Sequence, residues 1–109
     1  MVAMGRELQE PTFLILVALA PGELHGYGIV QEIASISDGR VRMGTGTLYG
    51  ALERLQADSL VEATRSETVD GRLRRYYRIT STGMDALRRE TERHESVARA
   101  ARTRLARAQ

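Results

Sequence analysis

The chain has 109 residues, of which 42% are hydrophobic and 28% charged, which suits one globular domain with a modest core. It contains no cysteine, which excludes disulfides, thiolate catalysis and most zinc sites. All 16 basic residues are arginine and the net charge is only +2, so the placement of charge has to indicate any partner.

Signals for membrane insertion, metal binding and catalysis are weak throughout. The longest apolar run, Phe13 to Ala20, is well short of the roughly 20 residues that a membrane span needs. The first ten residues carry no signal-peptide pattern. His25 and His94 are far apart and form no ligand cluster, and no nucleophile–base pair or phosphate loop is present. We therefore expect a cytoplasmic protein without membrane association, catalytic residues, metal or cofactor.

Two helices are predicted after an N-terminal segment of residues 1–10. Pro11 suits the first turn of a helix that runs to Ala20. Because residues 13–19 are apolar all round, one face of this helix can meet the core and another a second subunit. The second helix is predicted from Leu24 to Ser37, ended by Asp38-Gly39. Its apolar stripe is assigned to Tyr27, Val30, Ile33 or Ala34, and Ile36 or Ser37.

A third helix is predicted from Gly44 or Thr45 to Ala57. Leu48, Leu52 and Leu55 have the spacing of an inward-facing stripe. The residues that fall mostly away from this stripe are small, hydroxyl-bearing or basic: Thr45, Thr47, Tyr49, Gly50 and Arg54.

Two short strands and a long helix follow. The segments "LVEATRS" and "RRYYRIT" alternate, and "ETVDG" between them is interpreted as a hairpin loop. Thr80 is the predicted N-cap of a last helix that runs from Ser81 to about Ala106. This helix is polar but carries a heptad register of small or weakly apolar residues: Met84, Leu87, Thr91, His94, Ala98, Ala101, Leu105 and Ala108.

This order of elements predicts a mainly α fold with a small β-hairpin, in the form of a winged helix-turn-helix over residues 11–80. Residues 81–109 would form the long C-terminal helix. In such a fold the third helix can enter the major groove of double-stranded DNA. The hairpin would then place Arg72, Arg74 or Arg75 against phosphates or in the minor groove. The predicted DNA contacts are therefore Thr45, Gly46, Thr47, Tyr49, Gly50, Arg54, Arg72, Arg74 and Arg75.

Three segments in this order resemble the PadR family of bacterial transcriptional regulators: "HGYGI", "GTGTLYGALERLQADSLV" and "GRLRRYYRITSTGMDAL". The resemblance covers residues 11 to 90, and each piece is weak alone while the ordered set is specific. Two positions depart from the family pattern. Gly28 stands where a larger residue is common, and Gly44 stands where a Ser or Thr cap is common.

The resemblance implies a homodimeric regulator, of the repressor kind, that binds a palindromic operator. It also implies that the C-terminal helix forms the dimer interface with help from the first helix, and that a small aromatic or hydrophobic effector can act on the protein. The interface residues expected on this basis are Phe13, Leu16, Met84, Leu87, Thr91, His94, Ala98, Ala101 and Leu105.

Several alternatives stay open from the sequence. The winged helix can instead be a protein–protein interaction module that has no sequence-specific DNA binding. Arg75 and Arg78 can be structural residues or DNA contacts. His94 can be a tolerated polar interface residue or a pH-responsive group. Tyr27 and Tyr77 are expected in the core, and His25 is expected to cap a helix or terminate a loop.

Overall fold

The computed structural model of the protein describes residues 8–108, so most of the predicted N-terminal segment lies outside the described residues. The architecture confirms a mainly α winged helix-turn-helix that continues into a long C-terminal helix. Along the chain the elements are α1 (Glu10–Leu19), β1 (Leu24–His25), α2 (Gly26–Ile36), α3 (Thr45–Ala57), β2 (Val61–Val69), β3 (Arg72–Ile79) and α4 (Ser81–Ala108).

Helix α1 lies at the centre of the core, which explains its apolar sequence. Ile15, Leu16 and Leu19 are fully buried, and they share one cluster with buried residues of α2 and α3. Burial of each such side chain stabilises the fold by roughly 1.5–3 kcal/mol. The expected place of Leu16 at a dimer interface is therefore wrong, because its side chain is 0% exposed inside a single chain. Phe13 keeps part of its surface accessible on the same helix.

The sheet has three antiparallel strands in the order β1-β3-β2, one more than the predicted hairpin. Leu24 pairs with Tyr77 and His25 with Tyr76, so these two residues form a strand where the second helix was expected to begin. Helix α2 starts after them, and His25 caps it by accepting the Gly28 N–H on Nδ1 at 2.9 Å. The expectation that His25 caps a helix is confirmed.

The inward face of α2 differs from the predicted stripe. Gly26, Ile29 and Ile33 are its buried residues, at the i, i+3 and i+7 spacing of one helix face. Tyr27 is 68% exposed, so its expected place in the core is wrong. The glycine beside it, not the tyrosine, is the residue that packs inward.

Strands β2 and β3 form a longer wing than the sequence indicated. Their pairing continues to Val69 and Arg72, so only Asp70 and Gly71 remain as the turn. Both turn residues have positive φ, 52° and 77°, which is the conformation that two-residue hairpins favour and that Asp-Gly readily adopts. The predicted loop "ETVDG" is therefore mostly strand.

The start of α4 is fixed against the wing. The Thr80 hydroxyl accepts the Gly83 N–H at 2.9 Å and donates to the Ser59 carbonyl at 2.7 Å, which confirms Thr80 as the cap. A 28-residue helix is about 42 Å long, and the molecule extends 58 Å along its main axis. Most residues of α4 beyond 91 are exposed. Among the described residues, no helix is long and apolar enough to cross a membrane.

Candidate nucleic-acid interface

Helix α3 buries one side and leaves the other accessible. Its buried residues are Leu48, Ala51, Leu52 and Leu55, which confirms the predicted inner stripe. The first turn is exposed at Thr45, Gly46 and Thr47. Gly44 is the N-cap and supplies no side-chain hydrogen bond, so the N–H groups of this first turn remain open to an anion.

Tyr49 connects α3 to the beginning of α2. A Cβ on Gly26 would overlap the phenol oxygen of Tyr49, so the two helices meet closely at this glycine. The ring of Tyr49 remains partly exposed. Its hydroxyl therefore lies beside the N-terminus of α2 and not at the far edge of α3.

A groove of about 310 Å³ separates α3 from the wing. Burial raises the pKa of Tyr77 in its wall, Tyr49 adds to that rise, and the nearby charge of Arg75 opposes it. Tyr77 is buried, which confirms its expected place in the core, while Arg75 is exposed. The α3 side of the groove is formed by Tyr49, Gly50, Leu52, Glu53 and Gln56.

The wing divides its arginines between two faces, because side chains alternate along a strand. Arg72 and Arg74 project from one face, opposite Val69 and Glu67, whereas Arg75 projects from the other with Tyr77. All three arginines are exposed, and none forms an ion pair within the described part of the chain.

Two other arginines of the sheet are neutralised by neighbours. Arg65 Nε lies 2.7 Å from Glu23, its Nη1 lies 3.2 Å from Glu67, and its guanidinium covers the Tyr76 ring at 3.8 Å. The Tyr76 hydroxyl donates to Glu67 at 2.6 Å, and this bond is the main cause that lowers the pKa of Glu67. Arg78 pairs with Glu62 at 2.6 Å. These contacts indicate a structural role for both arginines.

Sequence reasoning missed three residues on this side of the molecule. Tyr27 is exposed at the start of α2, next to the glycine that Tyr49 touches. Arg42 is exposed just before α3 and forms no ion pair with a described residue. Glu53 lines the groove between α3 and the wing. Of the three, only Arg42 could have been identified from the sequence, because it lies three residues before Thr45 at the predicted start of the third helix.

The residues expected at a dimer interface fall into two groups. Met84 and Leu87 are half-buried near the body of the same chain, and Phe13 stacks on His94 with 4.6 Å between ring centroids. Further along α4, Thr91, His94, Ala101 and Leu105 are exposed and Ala98 is half-buried, although the His94 ring keeps its contact with Phe13. Val97 is 69% exposed and falls on the same helix face, although the heptad assignment omitted it.

A buried carboxylate lies beneath this face. Glu90 is 4% exposed; it accepts hydrogen bonds from Arg93 and from the Leu8 N–H at 3.4 Å, and His94 Nε2 lies 3.3 Å away. Burial alone would raise the pKa of Glu90, but the bonds from Arg93 and Leu8 outweigh it and lower the pKa. In the sequence this residue is one of many charges on a polar helix, so nothing distinguished it.

Comparison with known proteins gives a consistent result. The family model described as "Transcriptional regulator PadR-like family" matches residues 15–89. Transcriptional regulator Rv3488 of Mycobacterium tuberculosis is 41% identical over 85 residues, which cover 78% of this chain and 76% of that protein.

Solved structures share the fold. A transcriptional regulator from Clostridium thermocellum has a TM-score of 0.72 at 26% identity, over 84% of this chain and 89% of its own. Bacillus subtilis PadR, solved in complex with operator DNA, has a TM-score of 0.64 at 21% identity, over 73% of this chain and 45% of its own. At that identity the second likeness shows the fold alone.

Proposed function

Because the chain belongs to the PadR-like family of transcriptional regulators, we propose that it binds a palindromic operator as a homodimer and represses transcription. One observation carries the DNA-binding part: the accessible side of α3 lies beside a wing whose Arg72, Arg74 and Arg75 have no ion-pair partner among the described residues. The operator complex of Bacillus subtilis PadR supports this use of the shared fold.

In the proposed complex α3 enters the major groove with its first turn leading. The open N–H groups after Gly44 bind phosphate, and the hydroxyls of Thr45 and Thr47 bind phosphates or base edges. Gly46 and Gly50 carry no side chain that would hold the helix away from the groove. The hydroxyl of Tyr49 lies at the junction of α2 and α3. From there it would contact the phosphate backbone of the DNA.

The arginines supply the sequence-independent part of the affinity. Arg72 and Arg74 contact phosphates or the minor groove from the wing, and Arg54 contacts phosphate from the accessible side of α3. Arg75 adds a further positive charge from the groove between α3 and the wing. Arg65 and Arg78 are left out because their charges are already paired.

The homodimer is proposed from α4, whose residues beyond 91 are mostly exposed in the part of the chain that the structure describes. The face that carries His94, Val97, Ala98, Ala101 and Leu105 would pair with the same face of a second copy, next to Phe13 of α1. To occupy two half-sites, the two α3 helices of such a dimer must lie roughly 34–36 Å apart, which is one turn of DNA. The operator would then be an inverted repeat with half-sites about 10 bp apart.

Selection from a random DNA pool tests this function. We expect enrichment of an inverted repeat, with binding that weakens steeply as salt rises because phosphate contacts release counterions. A pool without an enriched repeat, together with binding that is flat in salt, would favour the protein–protein interaction module instead.

We also propose that a small aromatic or hydrophobic effector releases the protein from DNA. This part of the proposal rests on the resemblance to the family alone. The selected site gives a direct assay for it. Binding is repeated with a panel of such compounds, and an effector is identified by loss of the complex at an unchanged protein concentration. Repression itself is tested by placing the selected site between a promoter and a reporter gene.

A further inference from the structure

Glu53 occupies an unexpected place for an acidic residue on a surface proposed to face DNA. Helix α3 contains only two charged residues, Glu53 and Arg54. Gly46, Gly50, Glu53 and Ala57 follow one another at spacings of four, three and four, so they form the helix face opposite the buried leucines. Three of these four residues are glycine or alanine, so Glu53 is the long side chain in the middle of that face.

No described residue neutralises this carboxylate. Glu53 is exposed and makes no hydrogen bond or ion pair with the part of the chain that the structure describes. Arg75 lines the same groove but does not reach ion-pair distance. By contrast, the acids of the neighbouring sheet, Glu62 and Glu67, each pair with an arginine.

An unpaired carboxylate on this face repels the DNA backbone, so it weakens binding to DNA of arbitrary sequence. It has a favourable partner only where a base edge offers a hydrogen-bond donor. In the major groove the N4 amino group of cytosine is such a donor, and Glu or Asp is the side chain that accepts from it. The small residues at Gly46 and Gly50 allow the helix to approach closely enough for this contact.

We propose that Glu53 is a specificity-determining residue that reads one cytosine in each half-site and penalises every other sequence by repulsion. This inference rests on the proposed function, since it requires that α3 lie in the major groove. It gives Glu53 the opposite effect to the wing arginines. The arginines strengthen binding to all DNA, whereas Glu53 strengthens only the preference among sequences.

The test compares the wild type with Glu53→Ala, Glu53→Gln and the control Glu92→Gln. Glu92 is exposed on α4, away from α3 and the wing. Its replacement makes the same change in net charge as the Glu53 variants but leaves the proposed DNA-binding surface unchanged. Each protein is used for selection from a random pool. Each is then measured on the wild-type site, on that site with the cytosine position changed, and on scrambled DNA.

We expect the wild type to prefer C·G at one position of each half-site by about tenfold or more. Glu53→Ala should lose the preference at that position alone and bind scrambled DNA more tightly than the wild type. Glu53→Gln should shift the preference there towards adenine, the base that an amide reads. Glu92→Gln should match the wild type in both respects.

Two results separate the possible failures. If the wild type enriches an inverted repeat and both Glu53 variants keep its preference at every position, the role of Glu53 is overturned and the proposed function stands. If the wild type enriches no repeat, the proposed function itself fails. All variants are expected to keep the wild-type melting temperature, because Glu53 and Glu92 are exposed.

Discussion

Gly83 shows how one residue can connect the wing to the C-terminal helix. A Cβ at this position would overlap the Leu60 carbonyl, which is backbone and cannot rotate away. The same glycine donates its N–H to the Thr80 cap. The Tyr77-Arg78-Ile79-Thr80-x-x-Gly83 segment that carries part of the family resemblance thus has a physical reason, since α4 can begin this close to β2 only at a glycine.

We expect Gly83→Ala to lower the free energy of unfolding by roughly 1–3 kcal/mol, because the start of α4 must move away from Leu60. Gly46→Ala is the matched control. It adds the same methyl group to a helical position where no atom lies within 4 Å of the new Cβ. The free energy of unfolding should therefore stay the same or rise by up to about 1 kcal/mol. Chemical denaturation measures both. Equal stability of the two variants would contradict the close approach at Gly83.

Glu90 predicts a pH dependence where α4 meets Leu8, just before α1. Its folded pKa lies below the ordinary 4.5, so the ionised carboxylate stabilises the fold above that value and the stabilisation is lost as pH falls through the lowered pKa. Glu90→Gln should cost about 1–3 kcal/mol near neutral pH, since a bond to a charged partner is weakened.

Thermal melts of the wild type and Glu90→Gln from pH 7 to pH 3 measure this effect. The difference between the two proteins should be largest near neutral pH and should shrink as the pH falls below 4.5 and through the lowered pKa of Glu90. A difference that stays constant over this range would mean that Glu90 stabilises by packing and not by charge.

The elements differ in how far the sequence could predict them. Helix α3 was predicted to within a residue because Leu48, Leu52 and Leu55 are spaced for one buried face. Strand β1 was missed because two residues show no periodicity, and its hydrogen-bond partners, Tyr76 and Tyr77, lie about 50 residues away. Its location depends on tertiary pairing, which local propensity does not report.

The candidate interface was predictable to a similar degree. The arginines of the wing could be found from their position beside an Asp-Gly turn, but the sequence could not tell which of them were paired. The ion pairs of Arg65 with Glu23 and of Arg78 with Glu62 join segments 42 and 16 residues apart, so they become visible only in the folded sheet. Tyr27 was misplaced because Gly26 makes the inward contact.

The wing predicts different salt dependences for arginines of the same strand. Arg72→Ala and Arg74→Ala should each weaken operator binding and lower the slope of log affinity against log salt by about 1, because each would remove one proposed phosphate contact. Arg78→Ala is the control: it removes the same charge, but this arginine is held by Glu62. Titration of a labelled operator at several salt concentrations measures all three. A wild-type slope for Arg72→Ala would remove Arg72 from the interface, and a lowered slope for Arg78→Ala would add Arg78 to it.

Considered as a whole, the molecule separates its two proposed tasks along its length. The compact end holds α1, α2, α3 and the sheet around one core, and α4 extends from it with a net polar surface. The distal face of α4 is made of small and moderately apolar residues. Val97 and Leu105 are among its exposed side chains, at 69% and 63%. A helix of this kind gains stability when a second helix covers that face.

The dimer prediction follows from this arrangement. Ala101→Glu would place a carboxylate on the face proposed to pair in the homodimer, where it would meet its symmetry mate, so the protein should become monomeric. Ala106→Glu is the control, because it adds the same charge on the same helix about 80–180° away from the residues of that face. Both variants should keep the helical signal in circular dichroism, since both positions are exposed in the single chain.

Analytical ultracentrifugation gives the mass, and titration of the full inverted repeat gives the affinity. Ala101→Glu should bind that repeat at least roughly 100-fold more weakly than the wild type, because each half-site is then occupied independently. It should bind an isolated half-site as the wild-type monomer does, since α3 and the wing are unchanged. If Ala101→Glu is monomeric but keeps the wild-type affinity, the two DNA-binding domains bind the repeat without pairing through α4. If Ala101→Glu remains dimeric, the dimer interface lies on another face of the molecule.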